Sequence, residues 1–186
     1  MKRFRFVETF IKGLLLIEPN IFYDERGFFT ETWRQCDFKS VGIEYDFVQD
    51  NQSKSSKGVL RGLHFQMQHD QAKLVRVVCG EVFDVVVDLR KQSDTYLQWI
   101  GLNLSDENKR TVFIPEGMAH GYLALRDNTH MIYKLSNYYQ PELEAGIRYD
   151  DPTINIRWPI LDIPFILSKR DDELPYLFQN TLKGCC

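Results

Sequence analysis

The sequence predicts an all-β fold, a sandwich or barrel carrying only a few short helices. Short apolar stretches separated by turn residues recur along the chain, at strand rather than helix spacing. Aromatic residues make up 13% of the 186 residues, and such side chains favour sheets or pockets that stack a planar ligand. Only two segments carry helix signals. A chain of this length can bury one sizeable core, so a single domain over residues 1–186 is expected.

The expected strands follow in order. They are Leu14–Glu18, Phe28–Trp33, Asp46–Asn51, Gly58–Gln66, Lys73–Cys79 and Val82–Leu89, then Trp99–Leu104, Arg110–Ile114, Gly121–Ala124, Met131–Leu135 and Ile154–Trp158. Val82–Asp88 mixes alternation with a continuous apolar run, as in a central strand covered on both faces. One helix is expected within Glu31–Val41, stopped by Gly42. A second starts at Ser168, with Asp171 or Asp172 in its first turn and Pro175 limiting its length.

Composition excludes several function classes. Hydrophobic residues at 44% and charged residues at 26% are ordinary for a globular chain. A net charge of −3 argues against a general nucleic-acid binder. No apolar run approaches the roughly 18–20 residues that span a bilayer. The basic N-terminus lacks the apolar stretch and cleavage site of a signal peptide. Cys36, Cys79 and the Cys185-Cys186 pair form no metal spacing or disulfide framework, so a reducing cytoplasm is expected. The terminal pair reads as a frayed tail.

The chemistry gathers in Gly58-Val59-Leu60-Arg61-Gly62-Leu63-His64-Phe65-Gln66, followed by Lys73 and Gly80. It reads as a strand presenting a His and an Arg on one face, with a Lys arriving on the next strand. Such a group suits an anionic substrate that loses a carbon-bound proton. An imidazole titrates near neutral pH, as a general base must, and a paired carboxylate would hold its tautomer. Lys73 is either an exposed strand-end Lys or a fixed cation beside a developing oxyanion. Arg61 is either an edge charge or a phosphate fork. His120, after Pro115-x-Gly117, is a turn histidine or a pocket residue. Tyr133 is a buried tyrosine with one partner or a general acid facing His64. Asp171 either caps its helix, exposed and bonded to local backbone, or reaches His64. His69 and His130 are expected at the surface.

The ordered set Gly58-x5-His64, Lys73-x6-Gly80 and Pro115-x-Gly117-x2-His120 resembles the two-part signature of the cupin superfamily. The resemblance implies a double-stranded β-helix, or jelly roll. Metal-binding cupins carry a second His where Gln66 stands and a Glu where Lys73 stands. An ammonium has no lone pair and repels a cation, and two His rarely suffice for zinc or iron. No metal and no cofactor are expected.

Longer segments resemble the dTDP-4-dehydrorhamnose 3,5-epimerase family nearly end to end. They include Asp24-Glu25-Arg26-Gly27-Phe28-Phe29-x-Glu31, Gln49-Asp50-Asn51-x-Ser53, the Gly58–Gln66 block, Lys73-Leu74-Val75 and Asp84-Val85-x-Val87-Asp88-Leu89-Arg90. Ile114-Pro115-x-Gly117-x-Ala119-His120-Gly121, Tyr133-Lys134 and Glu144-x-Gly146-Ile147-x-x-Asp150-Asp151-Pro152 complete the set. The resemblance implies a metal-independent 3,5-epimerase whose substrate is a deoxythymidine-diphosphate 4-keto-6-deoxysugar. His64, oriented by Asp171, would take a proton from C3 or C5. Lys73 would hold the enolate, and Tyr133 would return a proton on the opposite face. Arg61 and His120 would lie near the diphosphate and sugar, and Gln49, Asp50 and Asn51 would line the pocket. Arg26, Phe29 and Glu31 would cross from the partner subunit of a homodimer. Tyr138 would stack on the nucleobase, with Glu144 near that end. The family's Ser-x-Lys-Asp segment here ends Arg170-Asp171, which puts a fork in place of a point charge.

Competing readings are a 3- or 5-monoepimerase, or an epimerase of a GDP- or CDP-linked 4-keto sugar. A non-catalytic sugar-nucleotide binding module and a metal-dependent cupin oxygenase or isomerase are the alternatives from other classes.

Overall fold

A computed structural model describes residues 3–68 and 70–177. His69 and the Cys185-Cys186 tail lie outside the described residues. The strands are β1 (Phe4–Glu8), β2 (Leu15–Pro19), β3 (Ile21–Asp24), β4 (Gly27–Thr30), β5 (Gln49–Ser55), β6 (Leu60–Gln66), β7 (Lys73–Cys79), β8 (Glu81–Asp88), β9 (Trp99–Ser105), β10 (Thr111–Ile114), β11 (Met118–Ala124), β12 (Thr129–Leu135) and β13 (Glu144–Gly146). Helix is confined to α1 (Gln35–Lys39), a 3-10 turn at Pro141–Leu143 and α2 (Lys169–Asp172).

Two antiparallel sheets face each other in a jelly roll. One has the order β1-β2-β10-β7-β12-β5 and the other β13-β6-β11-β8-β9, while β3 and β4 form a separate hairpin. Alternation along each strand sends one set of side chains between the sheets. Val75 and Val77 of β7, Val82 and Val86 of β8 and Met131 of β12 fill that space. The opposite faces are also covered. Phe38 of α1 packs with Phe4, Ile17 and Phe113 over the larger sheet. Ile147 and Ile154 pack with Val85 and Val87 under the smaller one. This double coverage is why β8 reads as a near-continuous apolar run.

The structure corrects several boundaries. The strand expected at Phe28–Trp33 is the second arm of the β3–β4 hairpin. Its turn is set by Asp24 Oδ1, which accepts from Arg26 N at 2.9 Å, and by Gly27 at φ +126°. β5 runs to Ser55 instead of ending at Asn51, because its Gln-Asp-Asn-Gln-Ser-Lys-Ser sequence carries no apolar signal. Ile154–Trp158 is not a strand. Asp151 Oδ1 takes the backbone N–H groups of Thr153 and Ile154, and Asn155 has φ +51°. α1 spans five residues within the expected Glu31–Val41, and Gly42 at φ +85° follows it as the expected stop. β1 and β13 carry too short a pattern to read from sequence. Among the described residues, no helix is long and apolar enough to cross a membrane.

Candidate active site

At one end of the space between the sheets, apolar core gives way to a polar cavity of about 350 Å³. Strand alternation selects its lining. From the larger sheet come Gln49, Asn51 and Ser53 of β5, Lys73 of β7 and Tyr133 of β12. From the smaller sheet come Arg61 and His64 of β6, His120 of β11 and Glu144 of β13.

Arg61 and His64 are three residues apart, so strict alternation would put them on opposite faces. The β6–β11 register shifts between His120 and Tyr122, which restores a shared face. Gly62 makes this possible. It has φ +115°, and a Cβ there would lie 2.6 Å from Gly121 Cα and 2.8 Å from the His120 carbonyl oxygen.

His64 Nε2 lies 2.6 Å from Asp171 Oδ1. Ser168 is the cap of α2: its Oγ accepts from Asp171 N at 3.0 Å. The side chain of Asp171 is thereby left for the imidazole, and only 5% of it is exposed. Capping and the histidine contact therefore coexist, carried by different residues. Burial pushes the Asp171 carboxyl up, but the bonds from His64 and Ser168 outweigh it and hold it below the ordinary range. With Nε2 engaged, Nδ1 is the nitrogen left to accept a proton.

Tyr133 enters from the opposite sheet, in register between Asn51 and Val75. Burial raises its phenol pKa, and the Tyr122 hydroxyl adds to this, while a hydrogen bond with Asn51 and the charge of Arg61 oppose it. Burial likewise pushes the Lys73 ammonium down, opposed by the charges of Asp70, Glu144 and Asp84. A site with this composition holds an imidazole–carboxylate pair on one wall, a phenol on the other and an ammonium between the sheets. It can take a proton from one face of a bound molecule and return one to the other.

Other expected residues fall differently. Asp50 does not line the cavity: alternation turns it outward, where Lys134 Nζ sits 2.9 Å from its Oδ1. Tyr138 is 66% exposed. Arg26 and Phe29 sit on the exposed hairpin, Arg26 paired with Asp24 and Glu31 with Arg3 and Arg34. Glu144, expected toward the nucleobase end, stands beside the imidazole, its Oε1 3.9 Å from His64 Nδ1. Its Oε2 is 2.6 Å from Arg170 Nη2 and accepts from the Tyr139 hydroxyl. His130 lies outside the cavity, bonded to Gln52.

Sequence reasoning missed Asp84, Tyr122 and Tyr139. Asp84 Oδ2 is 2.8 Å from His120 Nε2, and its side chain is fully buried. A carboxylate flanked by apolar residues in a central strand was its signal. Tyr122 bonds Ser53 and Ser55 at 2.9 and 3.1 Å. Arg61 Nε donates to Ser55 Oγ at 3.3 Å, which anchors the guanidinium at the cavity edge. The residues at the cupin ligand positions do not fit a metal. Both His Nε2 atoms are bonded to carboxylates, Lys73 offers no lone pair, and Gln66 Oε1 accepts from Gln140 N.

Comparison with known proteins agrees with this geometry. The dTDP-4-dehydrorhamnose 3,5-epimerase family model matches residues 8–179. A dTDP-4-dehydrorhamnose 3,5-epimerase from Methanothermobacter thermautotrophicus is 52% identical, over 97% of this chain and 98% of its own. The crystal structure of a dTDP-6-deoxy-D-glucose-3,5-epimerase from Legionella pneumophila, in complex with dTDP-4-keto-L-rhamnose, is 47% identical with a TM-score of 0.91. It covers 94% of this chain and 93% of its own. A 3'-monoepimerase from Streptomyces bikiniensis, in complex with dTDP-quinovose, is 33% identical with a TM-score of 0.88, covering 95% and 89%. The match spans both sheets and every strand that lines the cavity, and the chain belongs to the dTDP-4-dehydrorhamnose 3,5-epimerase family.

Proposed function

We propose that this chain inverts C3 and C5 of a dTDP-linked 4-keto-6-deoxyhexose. The observation that carries this reading is the pairing of His64–Asp171 on one wall of the cavity with Tyr133 on the other. The C4 ketone acidifies the protons on C3 and C5. Nδ1 of His64 takes one, the C–H electrons move onto the C4 oxygen, and the imidazolium shares its other proton with Asp171. The Lys73 ammonium meets the developing enolate oxygen. Tyr133 then gives its phenolic proton to the other face of the same carbon, and the C4 ketone re-forms. One centre is inverted, His64 is left protonated and Tyr133 deprotonated. Arg61, held by Ser55 and Lys54, is the fork for the diphosphate.

The β3–β4 hairpin belongs to the same reading. Arg26, Phe29 and Glu31 do not reach the cavity of their own chain, and Phe22, Tyr23, Phe28 and Phe29 of this hairpin are all more than half exposed. A homodimer in which the hairpin completes the partner's site would cover them. We place the reaction in the cytoplasm, consistent with the free thiols Cys36 and Cys79.

The similarity to a 3'-monoepimerase favours one other reading, inversion of a single carbon with the same residues. Incubation with dTDP-4-keto-6-deoxyglucose in deuterated water, followed by NMR, separates them. Deuterium at both C3 and C5 supports the double inversion, and deuterium at one carbon refutes it. His64→Asn should abolish exchange at both positions with little change in ligand affinity.

A further inference from the structure

Double inversion imposes a requirement on the base. His64 must take a second proton from the same sugar, so its first proton has to leave while the cavity is occupied. Asp171 offers no exit. It contacts Nε2, its side chain is 5% exposed, and it is backed by the cap of α2. Lys73 comes from the opposite sheet, on β7, and Arg61 is bonded to Ser55 and Lys54. Glu144 is the carboxylate that stands off Nδ1.

Its placement is built by the sheet. β13 pairs with the end of β6, with Glu144 opposite Gln66 and Gly146 opposite His64. Glu144 therefore sits diagonally across from the imidazole, on the same face, with Oε1 3.9 Å from Nδ1. That separation is too long for a standing hydrogen bond. It leaves Nδ1 open to substrate and is closed by a small side-chain shift or one bridging water. The other oxygen, Oε2, is held 2.6 Å from Arg170 Nη2 and by the Tyr139 hydroxyl. Exposure dips at Glu144 and rises again at the rim. Side-chain values are 29% for His64, 11% for Glu144 and 52% for Arg170. Tyr139 is 41% exposed.

We propose that Glu144 is a proton relay that discharges His64 to solvent between the two inversions, along the row His64, Glu144 and the Tyr139–Arg170 rim. The step balances. The Nδ1–H bond breaks and an O–H bond forms on Glu144 Oε1, so imidazolium and carboxylate become imidazole and carboxylic acid. The acid then loses its proton to water or a buffer base at the rim, and the Tyr133 phenolate takes a proton from water before the second inversion. Arg170, where the family carries Lys, holds the carboxylate in place: its guanidinium bonds both Glu144 and Tyr139. This inference rests on the reading of His64 as the base.

The test is turnover against buffer concentration at constant pH and ionic strength. Wild type should be insensitive to buffer. Glu144→Gln should lose about tenfold or more at low buffer, a part of the roughly hundredfold that a positioned acid–base group supplies. Its turnover should then climb and saturate with added imidazole, with KM unchanged. Glu144→Ala should be rescued in the same way by formate, and it carries the test if the glutamine variant fails to fold. A loss that no buffer restores, or a Glu144→Gln enzyme with normal turnover at low buffer, overturns the relay. His64→Asn separates the two readings. If it is inert while Glu144→Gln turns over normally, the relay alone fails. If it still exchanges deuterium, the base assignment fails and the relay with it.

Discussion

Replacing Asp171 by Asn isolates the tautomer of His64 from the fold around it. Asp171 Oδ1 accepts from Nε2 at 2.6 Å, inside a side chain that is 5% exposed. An asparagine amide that turns its NH2 toward Nε2 makes that nitrogen the acceptor, because two donors cannot face each other and an amide nitrogen has no lone pair to accept with. The imidazole proton then moves to Nδ1, the nitrogen that must accept from carbon. A wrong tautomer in a buried His–carboxylate pair costs about 10⁴-fold in turnover, or about 5.4 kcal/mol of barrier. The fold should lose far less. The cap bond of α2 uses the Asp171 backbone N–H and Ser168 Oγ, and both survive the substitution. Losing a first-turn charge costs about 0.3–1 kcal/mol. The assay is deuterium exchange at C3 and C5 by NMR at saturating substrate, with thermal unfolding alongside. Exchange within about tenfold of wild type by a folded variant would refute the tautomer argument, since the loss rests on an effect near 10⁴.

The remaining predictions probe other parts of the site and its scaffold. Lys73→Met should lower turnover about a hundredfold or more, as removal of an oxyanion donor does, and a change below about threefold in kcat/KM would remove the enolate role. Asp88 is fully buried and accepts from Arg90 N, Nε and Nη2, from Ser93 Oγ and from Thr95 Oγ1. Burial pushes its carboxyl up, but these five donors hold it well below the usual range. A depressed folded-state pKa stabilises above the unfolded value near 3.9 and loses that contribution as pH falls toward the folded value. Asp88→Asn should therefore cost about 3 kcal/mol at neutral pH, and the gap to wild type in urea unfolding should narrow below about pH 4. Gly62→Ala would place a Cβ 2.6 Å from Gly121 Cα at φ +115°, so it should cost about 2–4 kcal/mol and displace Arg61 or His64. A crystal structure of that variant with β6 unmoved would contradict the need for glycine.

How much of this was legible in the chain follows from the range of each interaction. Alternation within a strand is local, so β7, β8 and β12 lie within two residues of their expected ends. The resemblance implied Gln49, Asp50 and Asn51 as one lining segment, and periodicity separates Asp50 from the other two. Neighbours in a strand point to opposite faces, and Asp50 went to Lys134. β1, β13 and the hairpin arm β3 carry four or five residues or fewer, and what stabilises them is pairing with a distant strand.

The chain by itself determined the all-β class, the family resemblance and the residues proposed here for proton transfer, His64, Lys73, Tyr133 and Asp171. Those are residue types in order along a line, and order is what a sequence records. Only the tertiary structure decided which of them meet. Asp171 reaches His64 across 107 positions. Arg61 joins His64 through a register shift at Gly62. Glu144 comes to stand off Nδ1 because β13 pairs with β6. Each is set by cross-strand register or by a contact between distant segments, and neither is encoded in the spacing of residues along the chain.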